Sequence, residues 1–160
     1  MASPASPDCD RAKEITMGRL STIFLLLAVS VAAFASKEQT VQELIARADA
    51  ASANDRPGLY VEIAERQLKA ADGSYTEGKV EEARAAVQDV VTYSTKAHDA
   101  AIQANKKLKN TELALRKMAH RLRDLKHTLN FEDQPPVQAA ADKLQTLSDD
   151  LLSQMFGKGK

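Results

Sequence analysis

The amino-acid sequence predicts an all-α protein, built of antiparallel helical hairpins or a bundle and preceded by a cleavable signal peptide. Alanine is abundant, and aromatic residues account for only 4% of the chain, a composition that favours helices. No stretch alternates apolar and polar residues as a half-buried strand would. Residues 79–130 contain neither glycine nor proline, and apolar residues recur there every three or four positions, which is the spacing of one helix face.

An apolar segment near the N-terminus predicts export from the cytoplasm. Residues 21–35 read STIFLLLAVSVAAFA, follow Arg19 and end in Ala33-Phe34-Ala35, the A-x-A pattern that signal peptidase accepts. The segment is too short for a stable membrane anchor, which requires roughly 20 apolar residues. The sequence therefore predicts a signal peptide.

Residues 1–16 differ from an ordinary signal peptide, because they contain two prolines and three acids where basic residues are usual. We therefore expect translation to start at Met17; the alternative is a long N-terminal region that the export machinery tolerates. The signal peptide region, residues 1–35, is expected to be removed by cleavage after Ala35. The mature protein would then be periplasmic or extracellular and have no transmembrane anchor.

The mature chain is expected to form a single helical domain over residues 36–156, followed by a disordered tail at 157–160. Residues 36–160 contain 19 acidic and 19 basic residues, so net charge provides no attraction to nucleic acid or anionic lipid. The single cysteine, Cys9, precedes the cleavage site, which excludes a disulfide or a cysteine ligand in the mature protein. Because neither a Ser/His/Asp order nor a Gly-rich phosphate loop is present, we expect no enzymatic activity.

The first two helices are predicted over about residues 38–52 and 57–76. Asn54-Asp55-Arg56-Pro57 forms the turn between them, with Pro57 near the first helical position. Gly78 follows the second helix in the position of a terminating C′ glycine. The residues predicted to face inward are Val41, Leu44, Ile45 and Ala48 in the first helix and Tyr60, Ile63, Ala64, Gln67, Leu68, Ala71 and Tyr75 in the second.

Residues 79–129 are predicted to form one long helix with a coiled-coil-like seam, because the 3-4 spacing continues without a slip. This helix would be ~75 Å long and would make the domain elongated. The alternative is a break around residues 105–110, with Asn110 or Thr111 as a new N-cap, which would give a compact bundle. The seam positions are Val80, Ala83, Val87, Val90, Ser94, Ala97, Ala101, Ala104, Leu108, Thr111, Leu115, Met118, Leu122, Leu125 and Leu129.

The last helix is predicted over about residues 136–156, after a turn that contains Pro135 and Pro136. It is expected to pack on the Leu-rich residues 108–129, while the first two helices pack on the Ala- and Val-rich residues 80–104. Its predicted inward residues are Val137, Ala140, Ala141, Leu144, Leu147, Leu151 and Met155.

A basic run covers residues 106–127, which contain eight Lys/Arg against Glu112 and Asp124. Residues 132–150 contain five acids and one lysine, so the last helix is expected to be the acidic partner of this run. The run has no interleaved aromatic residues for stacking on bases, and we expect no nucleic-acid binding.

His98 lies beside the predicted seam and is a candidate haem ligand. The stretch from Glu77 to His98 begins EGKVEEA and resembles the last helix of the periplasmic four-helix b-type cytochromes, in which a histidine at similar spacing binds haem. That family's axial methionine comes from its first helix, and the first two helices predicted here contain no methionine. We therefore expect His98 to be a partly exposed structural residue and expect no cofactor.

The turn that contains Gly78 also resembles the inter-helix turn of a tetratricopeptide repeat. The matching residues are Tyr75, Gly78, Lys79, Glu81, Glu82, Ala83 and Val87. No second copy follows at that repeat's period of about 34 residues. We interpret the stretch as a helical hairpin, an element that suits partner binding.

His120, Asp124 and His127 are candidate metal ligands, because their i, i+4, i+7 spacing places them on one helix face. Neighbouring cations such as Arg121 and Arg123 would repel a metal ion, so we expect a solvated surface with no metal.

These observations predict an exported, non-enzymatic structural or interaction protein that presents helical surfaces to a protein partner or to a second copy of itself. The alternative is a small-ligand, metal or haem binder that uses His98, or His120, Asp124 and His127. A third possibility is a helical protein held at the envelope surface by the basic run.

Overall fold

The computed structural model describes residues 40–157, and these residues contain five α-helices and no strand. The predicted all-α class is therefore confirmed. The predicted signal peptide and start codon, and the tail beyond Gly157, lie outside the described residues. The helices are α1 (Val41–Ala50), α2 (Arg56–Thr76), α3 (Val80–Ala104), α4 (Leu108–Thr128) and α5 (Gln134–Phe156), with a short 3-10 turn at Phe131–Asp133 before α5.

Local sequence signals account for the first helix ends. Thr40 caps α1 through a capping box, in which its hydroxyl accepts from the Glu43 N–H and the Glu43 carboxylate accepts from the Thr40 N–H. Pro57 lies in the first turn of α2, where its missing N–H leaves no helical bond unmade. Gly78 has a φ of +76° after the end of α2, which confirms its role as the C′ glycine.

The prediction of one continuous helix over 79–129 is wrong, because the chain reverses at Asn105–Lys107. Asn105 (φ +49°) and Lys107 (φ +56°) both adopt the left-handed conformation. The N–H of Asn105 donates to Ile102 O and that of Lys106 to Ala101 O, the pattern of a Schellman helix end. The alternative N-caps, Asn110 and Thr111, are also wrong, because α4 begins at Leu108 without a side-chain cap.

The 3-4 spacing of apolar residues continues across the turn because both helices face the same core. Ala101 on α3 and Leu115 on α4 belong to the same core cluster, so each helix needs its own inward stripe whichever way the chain runs. An unbroken 3-4 spacing is therefore compatible with a tight reversal. Both seam positions that are polar, Ser94 and Thr111, are buried in the core.

Helices α2 and α3 form one antiparallel hairpin, and α4 and α5 form another, as the sequence predicted. The Gln67 side chain on α2 donates to Asp89 on α3, and Ser148 on α5 donates to Glu112 on α4. Both hairpins contribute to one hydrophobic core, whose buried residues are Ala64, Leu68, Ala71, Ala86, Val87, Val90, Ala101, Leu115, Met118, Ala119, Leu122, Val137, Ala140, Ala141, Leu144, Leu147 and Leu151.

Across the bundle, helices from different hairpins run parallel. Arg84 and His98 on α3 contact Asp133 and Asp150, the first just before α5 and the second near its C-terminal end. Residue numbers rise together along the two helices, so α3 and α5 run in the same direction. The pairing of α2 with α4 is parallel in the same way: Asp55 just before α2 contacts Lys107 just before α4.

Helix α1 covers one side of the first hairpin through a separate apolar cluster. Leu44 and Ala48 are fully buried and pack with Ile63 of α2, and Tyr60 and Tyr93 lie beside them. No helix in residues 40–157 is long and apolar enough to cross a membrane.

Candidate functional site

The charges of the described residues are divided unevenly among the helices. Residues 40–104 contain seven basic and 11 acidic residues, and residues 131–157 contain one basic and five acidic residues. Residues 105–130, which include α4, contain eight basic and two acidic residues. Of these three segments only residues 105–130 have a net positive charge, and six of their eight basic residues lie on α4.

Most of this positive charge faces away from the core. The side chains of Lys109, Arg116 and Lys117 are exposed, and they project from the side of α4 that faces away from its buried stripe of Leu115, Met118, Leu122 and Leu125. Arg121 is exposed at the edge of this side, where it lines a cleft against α2. We call the surface formed by Lys109, Leu113, Arg116, Lys117, His120 and Arg121 the α4 basic face. Of the two acids on α4, Glu112 is buried at 3% exposure, and Asp124 is exposed one turn beyond His120 and Arg121, at the C-terminal end of this face.

Three cations of the α4 basic face have no partner within the described part of the chain: Lys109, Lys117 and Arg121 make neither an ion pair nor a hydrogen bond. Arg116 contacts the buried Glu112, with Nε 3.3 Å from Oε1. The face therefore carries positive charge that the fold itself does not neutralise.

The predicted charge pairing between α4 and α5 occurs through two glutamines. Lys126 donates to Gln138 Oε1 at 2.8 Å, and Gln138 Nε2 donates to Asp142 at 2.8 Å. Seven residues later on α5 the arrangement repeats, with Arg123 donating to Gln145 at 3.2 Å and Gln145 to Asp149 at 2.9 Å.

No α4 cation reaches an α5 carboxylate directly within residues 40–157. Sequence reasoning missed the two glutamines, although each precedes an aspartate by four residues on one helix face. These contacts through glutamine use Arg123 and Lys126, on the side of α4 that faces α5, and do not involve Lys109, Lys117 or Arg121.

One apolar side chain interrupts the α4 basic face. Leu113 is 39% exposed and lies one helical turn from both Lys109 and Lys117. A large apolar side chain within a cationic surface offers a partner both an apolar contact and ionic contacts.

Acidic side chains border the α4 basic face on both sides. On the α5 side these are the exposed Asp142 and Asp149, which Gln138 and Gln145 connect to Lys126 and Arg123 on the side of α4 that faces α5. On the α2 side, Asp72 lines a cleft of about 240 Å³ together with Arg121 and Asp124. The cations of this surface therefore lie on one helix, and exposed carboxylates lie on the helices at either side of it.

The candidate metal ligands His120, Asp124 and His127 all lie exposed on α4. The structure does not bring them together: within residues 40–157 no group of three His, Cys, Asp or Glu side chains is placed to hold a metal ion. Asp124 instead lines the cleft between α2 and α4.

His98 is buried at 8% exposure, where the sequence suggested a partly exposed side chain. Its Nδ1 lies 2.9 Å from Asp99 Oδ1, and its Nε2 lies 2.8 Å from Asp150 Oδ2 on α5. Both ring nitrogens thus contact carboxylate oxygens, and a haem iron could bind His98 only if one of these contacts broke.

Comparison with known proteins found no matching family model, no similar curated protein and no similar solved structure.

Proposed function

We propose that this chain is an exported, non-enzymatic helical interaction protein that binds a partner through the α4 basic face. The observation that carries the proposal is the group of unpartnered cations Lys109, Lys117 and Arg121 on a fold that is otherwise acidic. Such a surface attracts an anionic partner over roughly one Debye length, about 8 Å at physiological ionic strength.

The bundle suits this role because it holds the α4 basic face on a packed helix. Leu115, Leu122 and Thr111 anchor α4 from within the core, and each is at most 2% exposed. The cations are thus held along a preformed surface, and binding a partner need not order the backbone that carries them.

Self-association through this face in a symmetric dimer is disfavoured. A two-fold axis would place Lys109, Lys117 and Arg121 of one copy against the same residues of the other, and like charges would repel. The partner proposed for the α4 basic face is therefore a different molecule.

Export is the second part of the proposal, and it rests on the apolar segment at residues 21–35. N-terminal sequencing of the protein purified from its native host tests it directly. A mature N-terminus at Ser36 in the extracytoplasmic fraction is the expected result. An intact residue 1 or 17 in a cytoplasmic protein would contradict export.

Site-specific photo-crosslinking in the native host tests the partner. A photoreactive residue at position 113 lies on the α4 basic face, and the same residue at position 85 places it on the exposed side of α3 as a matched control. We expect a discrete adduct from position 113 alone. We also expect that adduct to disappear when Lys109→Glu and Lys117→Glu are added. Equal labelling from both positions, or none from position 113, would contradict the proposal.

A further inference from the structure

The width of the α4 basic face limits what can lie on it. Its cations occupy one helix, whereas Asp142 and Asp149 border it on the α5 side and Asp72 borders it on the α2 side. A planar anionic membrane or a nucleic-acid duplex is broader than one helix, so it would bring its own negative charges close to these exposed carboxylates. Like charges placed opposite each other oppose such binding.

A second helix fits the same surface. Lys109, Lys117 and Arg121 extend along about 18 Å of the α4 axis, the length of roughly three helical turns. A helix about 10 Å in diameter can lie along this line between the flanking acids. Leu113, between the first two cations, would then contact an apolar side chain of the bound helix.

From these observations we infer that the partner of the α4 basic face is an acidic helical segment of another protein, which lies along α4 with its carboxylates against Lys109, Lys117 and Arg121. The inference rests on the proposed function and adds the chemical class of the partner. The flanking acids Asp72, Asp142 and Asp149 exclude broad anionic surfaces, so they provide specificity by repulsion.

The direct test uses the chain lacking residues 1–35 and a synthetic helical peptide of about 20 residues, with glutamates along one face, a single leucine and alanines elsewhere. A peptide with glutamine in place of every glutamate is its matched control. We expect the acidic peptide to bind, the glutamine peptide to bind at least tenfold more weakly, and the affinity to fall as salt rises. Failure of the acidic peptide to bind would overturn the inference.

Protein variants assign the binding to the surface. Lys109→Glu combined with Lys117→Glu is expected to weaken peptide binding by about tenfold or more. The matched control is Lys69→Glu combined with Lys143→Glu, which changes the net charge equally on exposed positions of α2 and α5. Equal losses from the two pairs would show that only net charge matters and would overturn the inference. Circular dichroism of each variant verifies that the helices are intact.

Vesicles containing phosphatidylglycerol and a DNA duplex probe the excluded partners. Neither is expected to bind the wild-type protein as well as the acidic peptide does, and tighter binding of either would overturn the inference. Combining Asp72→Asn with Asp149→Asn should raise vesicle binding, because this change removes one flanking carboxylate on each side. No increase would show that the flanking acids do not set the width of the site, and would also overturn the inference.

These results separate the inference from the proposed function. Crosslinking at position 113 without binding of the acidic peptide would leave the α4 basic face as the docking surface and reject an acidic helix as its occupant. Absence of crosslinking would reject the surface itself.

Discussion

The Nε2 atom of His98 on α3 lies 2.8 Å from Oδ2 of Asp150 on α5, and this contact joins two helices that are not consecutive in the chain. The imidazole is buried, whereas the Asp150 side chain is 48% exposed. The same ring contacts Asp99, a 70% exposed neighbour on its own helix. His98 therefore holds the two hairpins together through one of its two carboxylate contacts.

A double-mutant cycle tests this connection. We expect His98→Ala and Asp150→Ala to show a coupling free energy of about 1 kcal/mol, a value limited by the exposure of Asp150. The measurement is urea unfolding followed by circular dichroism. The matched cycle of His98→Ala with Asp99→Ala should give less, because that contact lies within α3. A coupling to Asp150 no larger than the coupling to Asp99 would contradict the assignment.

The buried contact between Glu112 and Ser148 gives a second prediction. Ser148 Oγ donates to Glu112 Oε1 at 3.1 Å, and both residues are at most 3% exposed. Ser148→Ala removes a donor from a buried carboxylate and should lower the free energy of unfolding by about 1–3 kcal/mol. Combining it with Glu112→Met removes the carboxylate too and should restore most of that loss. If the losses in free energy of unfolding from Ser148→Ala and Glu112→Met simply added in the double variant, the contact between the two side chains would not contribute to stability.

The α3–α4 turn gives a third prediction. Lys107 has a φ of +56°, a conformation that costs an L-residue roughly 1–2 kcal/mol and glycine almost nothing. Lys107→Gly should therefore raise the free energy of unfolding by up to about 1 kcal/mol, and losing the exposed contact to Asp55 at 3.5 Å subtracts little. Lys106→Gly is the matched control. Lys106 does not have a positive φ, so this change should lower the free energy of unfolding. Stabilisation by both changes, or by neither, would contradict the strain argument.

A fourth prediction concerns alkaline pH. Burial raises the pKa of Tyr60, Tyr75 and Tyr93 above the usual value, and the charges of Asp49, Asp133 and Asp89, respectively, raise it further. The folded state therefore binds the phenolic protons more tightly than the unfolded state. The resulting stability is complete below the ordinary tyrosine pKa of about 10 and is lost as pH rises through the raised values.

The chain contains three tyrosines and no tryptophan, so the ultraviolet absorbance of the phenolate follows these groups directly. Titration of the folded protein should give a midpoint above that of the protein unfolded in urea. Coincident midpoints would contradict the predicted shifts. Unfolding free energies measured along the same pH series should fall over the same range.

The helical elements could be predicted from local chemistry. Pro57 and Gly78 mark helix ends by their backbone preferences, and the 3-4 spacing of apolar residues identified the buried stripes. The pairing of residues 80–104 with the second helix, and of residues 108–129 with the last, also followed from residue size and charge. The helix ends and the buried stripes depend on residues close in sequence, so the local spacing of residue types is enough to predict them.

The reversal at Asn105 could not be predicted from the apolar spacing, because an inward stripe looks the same in a continuous helix and in two helices that share one core. The contacts of the candidate site residues could not be predicted for a related reason. His98 binds Asp150, 52 positions away, and the cations Arg123 and Lys126 reach α5 through Gln145 and Gln138. Contacts between residues so far apart depend on how the helices pack.

The sequence alone thus determined the helical class, the buried stripes and the concentration of positive charge on residues 106–127, because each is a property of composition or short-range spacing. The tertiary structure decided which of those charges have no partner within the bundle. Packing of α5 against α4 engaged Arg123 and Lys126 and left Lys109, Lys117 and Arg121 without partners in the described chain. Whether a cation is paired depends on the direction it faces in the assembled bundle, and only the three-dimensional arrangement specifies that direction.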